Sequence, residues 1–475
     1  MKSIKLALMG GAALAVTSAV AHADELDALK AQIETLDARV AAMHATPAVP
    51  AGYSLLAISE GPRVNTPGLD ITWKGTESAA YGNEATYITV LPTADAPAGA
   101  TITWSGYAKA GVVYNNTSND VKTKYRAYKG DDWRTIGHLS QDSGDTDILA
   151  RGQLRVTAAT DTAVGEVGVD IRMRADFNGN GKSNVYSDVA WGYWAMTPEV
   201  TFGGGYAGSL GNIGYGYDGA CSCYFTDSAD LSFNPGDTTQ LRLTYASGPL
   251  TAAVAFEDAS KFDKNDGETN NTDKLGVAGE LKYSGDAVNG EISAVWRDTD
   301  DNDFSGVNDL WQIGAGLGFN LGDRASLSLA AAYGQGPYQK VASNSSPDSG
   351  DITTAFPFNN TWWGITGLAS VNLTEEVHAE IGAGYKSRSG DDYDDGEVSS
   401  DGLDGNHWGI LGGIYYDPVA QLTIGVEAEY YVNENSYTLT CVDDTGCGNA
   451  PEDAQAQIEG TNDNFTLDFV SVWRF

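Results

Sequence analysis

Residues 163–176, AVGEVGVDIRMRAD, decide how this chain folds. The even positions Glu166, Asp170, Arg172, Arg174 and Asp176 are charged, while the odd positions Ala163, Val167, Val169, Ile171, Met173 and Ala175 are apolar. A period of two with one wet face and one dry face is the pattern of a β-strand lying between two environments. The same separation recurs at 421–432, where Gln421, Thr423, Glu427 and Glu429 alternate with Leu422, Ile424, Val426 and Tyr430. It recurs again at 376–388, where Glu376, His378, Glu380, Lys386 and Arg388 alternate with Val377, Ala379, Ile381 and Tyr385. Strands of soluble sandwiches also alternate, so the connections have to decide the compartment.

Sixteen strands are predicted near 101–114, 148–160, 163–176, 187–196, 199–208, 238–247, 249–259, 273–284, 287–298, 308–320, 324–336, 360–372, 376–388, 405–416, 420–432 and 462–475. Every second connection is tight, as at Asp161-Thr162, Thr197-Pro198, Gly248-Pro249, Gly285-Asp286, 321–323, 373–375 and 417–419. The intervening ones, 115–147, 177–186, 209–237, 260–272, 299–307, 337–359, 389–404 and 433–461, are long and polar. Strict alternation over an even number of strands puts turns on one rim and loops on the other, the plan of a transmembrane β-barrel. No blade-length repeat of a propeller is present. Trp191, Trp194, Trp362, Trp363, Tyr415, Tyr416 and Trp473 fall at or near strand ends, where an interfacial girdle would place them.

Composition agrees. The 475 residues carry 64 Asp+Glu against 28 Lys+Arg, a formal charge of −36, which removes nucleic acid as a partner. Past the N-terminus no apolar run reaches the roughly 18 residues of a membrane-crossing helix, a test that alternating strands escape. Residues 1–23 read as a signal peptide: Lys2 and Lys5 precede an apolar stretch, and Ala21-His22-Ala23 gives the small-x-small cleavage pattern. In 24–44, Leu26, Leu29, Ile33, Leu36, Val40 and Met43 follow the 3-4 spacing of a short coiled-coil helix, with an amphipathic helix lying on its own protein as the alternative. Residues 45–52 are a Pro-containing linker, and 53–100 form a periplasmic or plug-like segment or an extra hairpin. Export implies an oxidising compartment, in which Cys221-Ser-Cys223 and Cys441…Cys447 suit local disulfides better than metal binding; the connectivity stays open.

The signal peptide, the strand alternation over 101–475, the long third loop 209–237 and the C-terminal run from Phe465 to Trp473 and Phe475 together resemble the general bacterial porins. The heptad segment resembles that of some alphaproteobacterial trimeric porins. The resemblance implies an all-β, 16-stranded antiparallel transmembrane barrel with a short N-terminal coiled-coil helix. Eighteen strands, with 69–75 and 84–91 as an added hairpin, are the alternative. It also implies a homotrimer in the outer membrane, set among lipid and lipopolysaccharide and inserted by the barrel-assembly machinery, for which Phe475 and Trp473 belong to the signal. The third loop would fold into the lumen, and solutes would diffuse passively, without a cofactor and without enzymatic turnover.

Side-chain direction suggests what lines the constriction. Arg151 and Arg155 share a face with Gln153 and Thr157; Arg172 and Arg174 do likewise on the next strand, and Arg242 lies with Gln240 and Thr244. Asp218, Asp227 and Asp230 in the third loop are candidate partners, and a basic wall facing an acidic loop would give a transverse field. The plainer alternative is a set of solvated lumen charges. Loops 389–404 and 433–461 hold thirteen Asp+Glu and no Lys or Arg, so a modest preference for cations is expected.

Other motifs are weaker. Gly203-Gly204-Gly205-Tyr206-Ala207-Gly208 matches the dinucleotide fingerprint in letters only, since no βαβ unit surrounds it. Asp176, Asn178 and Asn180 have the spacing of a calcium loop, yet the twelfth position is Ser187 rather than a bidentate Glu. His44, His138, His378 and His407 are scattered and frame no catalytic triad. A diffusion channel is thus the leading reading; a substrate-specific channel or receptor comes second, and a barrel-borne enzyme or adhesin third.

Overall fold

The structure is a computed structural model that describes residues 56–62, 65–69, 84–90, 100–128, 132–177, 185–213, 223–225, 231–259, 275–298, 309–322, 324–335, 360–390, 393–394, 398–441 and 454–475. The signal peptide, the heptad segment and the linker lie outside them. The described residues belong to one compact unit, Leu56–Leu91 with Ala98–Phe475. Among them there is no helix, and the nineteen strands are β1 (Leu56–Pro62), β2 (Glu84–Val90), β3 (Ala100–Arg126), β4 (Arg134–Thr162), β5 (Gly165–Phe177), β6 (Val185–Ala195), β7 (Val200–Gly208), β8 (Asp237–Ser247), β9 (Leu250–Asp258), β10 (Leu275–Ser284), β11 (Val288–Asp298), β12 (Asp309–Asn320), β13 (Ala325–Gln335), β14 (Asn360–Asn372), β15 (Val377–Gly390), β16 (Tyr393–Asp394), β17 (Val398–Val419), β18 (Leu422–Cys441) and β19 (Gln455–Arg474).

Sixteen of these strands form the barrel. Antiparallel pairing runs from β3 through β15, passes directly to β17, and continues to β19. β19 then pairs with β3 from Tyr107↔Arg474 to Arg126↔Gln455, which closes the sheet on itself. Strand β16 is a two-residue ribbon on β17. The dinucleotide-like glycine run is simply β7.

The eighteen-strand alternative does not hold. β2 pairs with β1, not with 69–75, and its other neighbour is only the first five residues of β3, from Thr86↔Trp104 to Val90↔Ala100. β19 stops at Tyr107, so the β1–β2 hairpin takes over its place beside β3 at the turn rim and prolongs the wall without adding a crossing. At that junction Phe475 exchanges both backbone hydrogen bonds with Gly106, at 3.1 and 3.3 Å.

The polarity is inverted relative to a soluble protein. On β5, Asp170 and Arg172 are 0% and 4% exposed, whereas Val169 and Ile171 are each 42% exposed. The polar face is therefore the packed interior and the apolar face is the outside, which needs hydrocarbon rather than water around it. Of the seven predicted girdle aromatics, Trp194, Trp363, Tyr416 and Trp473 do point outward, but Trp191, Trp362 and Tyr415 are buried inside. Trp362-Trp363 and Tyr415-Tyr416 are neighbours on a strand, so one ring of each pair has to face the lumen.

Strand length separates two parts of the wall. Most barrel strands have 9 to 14 residues, close to the roughly 10 of a tilted membrane crossing. β3, β4, β17, β18 and β19 have 27, 29, 22, 20 and 20 residues. Much of 115–147, 389–404 and 433–461, expected as loop, is therefore strand that rises beyond the loop rim. Polar ties hold this extension, such as Thr117 Oγ1 to Asn464 Oδ1 at 2.9 Å and Ser118 Oγ to Asp142 Oδ1 at 2.7 Å. There too, the hydrogen bond from His138 holds the Asp120 carboxyl below its ordinary value. The turn expected at Asp161-Thr162 falls two residues later, at Ala163-Val164, a shift that leaves every side chain on its expected face.

The inversion has a measurable cost when it is broken. Leu329 sits mid-strand on the outer face of β13 and is 45% exposed. Leu329→Arg should destabilise the barrel by about 2–4 kcal/mol in urea titrations of folding into lipid vesicles. Ser328→Ala, one residue away on the lumen face, should move the midpoint far less.

Candidate pore constriction

All five arginines singled out from the sequence lie on the lumen face of β4, β5 and β8. Arg155 and Arg172 are directly opposite each other in the ladder, an arrangement that like charges tolerate only when acids answer them. Asp170 answers Arg155: Nε lies 3.1 Å from Oδ1 and Nη2 lies 2.7 Å from Oδ2, both side chains being buried. This forked contact uses the planar geometry of the guanidinium and is among the stronger charge-assisted bonds. Arg172 Nε is 3.9 Å from Asp188 Oδ1. Asp176 accepts from Arg174 at 2.7 Å, from the Tyr186 hydroxyl at 2.8 Å, and from Arg151. Three donors thus converge on the carboxylate that opens the calcium-like spacing; Asn178 and Asn180 lie outside the described residues. Arg242 lies 5.1 Å over the Trp191 ring and donates to Gln240 Oε1 and to the carbonyl of Gly208 at 2.9 Å.

The described part of the third loop, 209–237, lies inside the barrel. Its described pieces, 209–213, 223–225 and 231–236, bury Leu210, Ile213, Tyr224, Leu231 and Phe233. Asp218, Asp227, Asp230 and Cys221 lie outside those pieces. Cys223 is buried and disulfide-bonded. Neither Cys447 nor the Cys441 side chain is described.

Wall side chains that sequence reasoning passed over hold this loop by its backbone. On one side Glu257 accepts from Ser209 Oγ at 2.7 Å and from Leu210 N at 3.2 Å, and is itself held by Arg297 Nη2 at 2.8 Å. Arg297 also donates to the carbonyl of Pro235 at 2.7 Å, and Gln312 Nε2 to those of Gly211 and Phe233, both at 2.9 Å. Farther round, Lys386 Nζ donates to Ser232 O at 2.7 Å. On the far side Glu427 accepts from Tyr224 N and, at 3.0 Å, from Phe225 N, while Lys109 donates to Tyr224 O. A loop crossing a cavity carries backbone donors and acceptors that no ladder satisfies, and these charged side chains supply the missing partners.

Shape fits as well as charge. Phe233 stacks on Trp362 with centroids 6.2 Å apart. A Cβ at Gly314 would overlap Ile213, and one at Gly364 would come within 2.7 Å of Phe233. The lumen faces of β12 and β14 are thus bare where the loop needs room. The clue to the anchors in the sequence was a charged lumen-face residue at the end of an otherwise apolar run, as at Glu257 after AAVAF.

Glu427→Ala removes the acceptor for two backbone N–H groups at once, one buried and one partly buried. Leaving them unsatisfied should weaken the attachment of 223–225 by about 1–3 kcal/mol. Single-channel records of this variant should show larger and noisier current steps than the wild type.

The family model described as a porin subfamily matches residues 98–466. Among solved structures, the chain is similar to the outer-membrane channel DcaP of Acinetobacter baumannii, with 15% identity over 77% of this chain and 97% of that one and a TM-score of 0.41. It is also similar to an anion-selective porin from Comamonas acidovorans, with 11% identity over 77% and 99% and a TM-score of 0.41. OmpT of Vibrio cholerae matches with 9% identity over 76% and 97% and a TM-score of 0.40. The search of curated proteins finds no match. With a match over most of its length and a closed sixteen-stranded barrel that is apolar outside and polar within, this chain belongs to the porin subfamily and is a diffusion channel of the outer membrane.

Proposed function

We propose that the channel passes small hydrophilic solutes and ions passively, without enzymatic turnover and without a resident cofactor. The observation that carries this reading is the third loop pinned across a polar lumen from Glu257 to Glu427, opposite the arginines of β4 and β5. The constriction is the gap between that loop and Arg151, Arg155, Arg172 and Arg174. Planar-bilayer recording of the purified protein tests it: large ohmic steps are expected. A current that saturates with one solute would favour a substrate-specific channel, and near-absence of conductance would favour a barrel-borne enzyme or adhesin.

Ion preference should be weakly cationic. The wall arginines are answered by Asp170, Asp176 and Asp188, so local charge nearly cancels there. The acidic outer loops then dominate within about one Debye length, ~10 Å at 0.1 M salt. Reversal potentials in a KCl gradient should show a modest cation preference; an anionic sign would mean that the arginines govern the pore.

In this reading the working unit is a homotrimer whose heptad segment, 24–44, adds avidity to contacts between barrels. Light scattering in detergent should give three copies, and deletion of 24–52 should weaken the assembly without abolishing it. The outward row Phe465, Leu467, Phe469, Trp473 and Phe475 is exposed on or next to β19, which supports a role as the strand that the barrel-assembly machinery reads. Lipid and lipopolysaccharide complete the surroundings of the apolar belt.

A further inference from the structure

Residues 65–69, within the connection between β1 and β2, place a second insert in the lumen. Thr66-Pro67-Gly68-Leu69 forms a tight turn closed by Leu69 N to Thr66 O at 3.0 Å, with Gly68 at φ 70°. Proline at the second position and a glycine with positive φ at the third are what a type II turn requires. The turn is seated at three points. The Thr66 hydroxyl donates to Asp170 Oδ2 at 2.8 Å and accepts from Arg155 Nη2 at 3.0 Å, so one side chain bridges both halves of the buried ion pair. The carbonyl of Gly68 accepts from Arg242 Nη1 at 3.2 Å. Leu69, 3% exposed, packs with Val189, Trp191, Tyr193 and Ala207.

We propose that this turn is a cover over the guanidinium wall that helps to set both the conductance and the ion preference of the channel. It takes up lumen cross-section near the turn rim, on the face of β4 to β8. It also turns the outer edges of Arg155 and Arg242 towards protein oxygens. With the turn lifted, Arg155 Nη2 loses its Thr66 acceptor while keeping Asp170, and Arg242 Nη1 loses the Gly68 carbonyl; guanidinium edges of that kind attract carboxylate and phosphate groups. The solutes whose passage it controls are therefore small anions. The inference rests on the channel reading above and adds a second determinant to the third loop.

The test is bilayer recording of the full-length protein and two variants. Thr66→Ala with Leu69→Ala removes the hydroxyl bridge and the apolar anchor. In variants that keep the mobility of folded barrel on unheated gels, the single-channel step in KCl should rise by roughly 1.5- to 2-fold, and the reversal potential should move towards anions. Thr66→Val alone, which deletes the hydroxyl at nearly constant volume and keeps the apolar anchor, should move the reversal potential in the same direction with a smaller change in step. A folded Thr66→Ala/Leu69→Ala variant with unchanged step and unchanged reversal potential overturns the proposal. So does a Thr66→Val variant whose reversal potential is unchanged, a result available even if the alanine variant does not fold. Absence of any conductance in the wild type would count against the channel reading itself, whereas a conducting wild type with indifferent variants counts only against the cover.

Discussion

A sheet surrounded by hydrocarbon has no water to satisfy its edges, so the first and last crossing strands have to find each other. The ladder between β3 and β19 meets that demand, and everything else in the molecule depends on it. Once it forms, the barrel has an inside and an outside, and period two assigns each side chain to one of them. The lumen then inherits the charged residues, including facing arginines on β4 and β5 that would repel one another in an open sheet. Asp170, Asp176 and Asp188 lie on the same inner face, which makes that concentration of charge tolerable.

The interior is organised by long charged side chains acting on backbone. Glu257 and Glu427 take N–H groups of the third loop, while Arg297, Lys386 and Lys109 take carbonyls. Held in this way, the described pieces of the loop need no charge of their own. It also explains the bare lumen faces at Gly314 and Gly364, where Ile213 and Phe233 occupy the space a side chain would have filled. The turn at Thr66–Leu69 is held by the same method from the other rim, where Arg242 takes the Gly68 carbonyl.

How much of this could be read from the sequence follows from how local each signal is. Strand faces and turn positions were legible because period two is imposed residue by residue, and even the two-residue slip at Ala163-Val164 preserved the faces. The extension formed by β3, β4 and β17 to β19 was not legible: outside the bilayer both faces meet water, so Asn115-Asn116-Thr117-Ser118 carries no alternation to detect. The arginine wall was legible as a face, and Asp170, Asp176 and Asp188 share that face; the loop acids Asp218, Asp227 and Asp230 lie outside the described residues. The anchors were hidden because they act at long range: Thr66 and Asp170 are 104 residues apart, and Tyr224 and Glu427 are 203 apart.

The closing ladder also governs how the chain reaches this state. Arg126 and Gln455, joined side chain to side chain, are separated by 329 residues. Pairing of that order makes folding slow, since the entropy of a very long closure is lost before any of its bonds form. Until β19 arrives, β3 and β18 each present a free edge, and such edges are templates for aggregation. Assembly is therefore a race between closure and misassociation. Its outcome depends on whatever shields those two edges while the rest of the sheet is already in place.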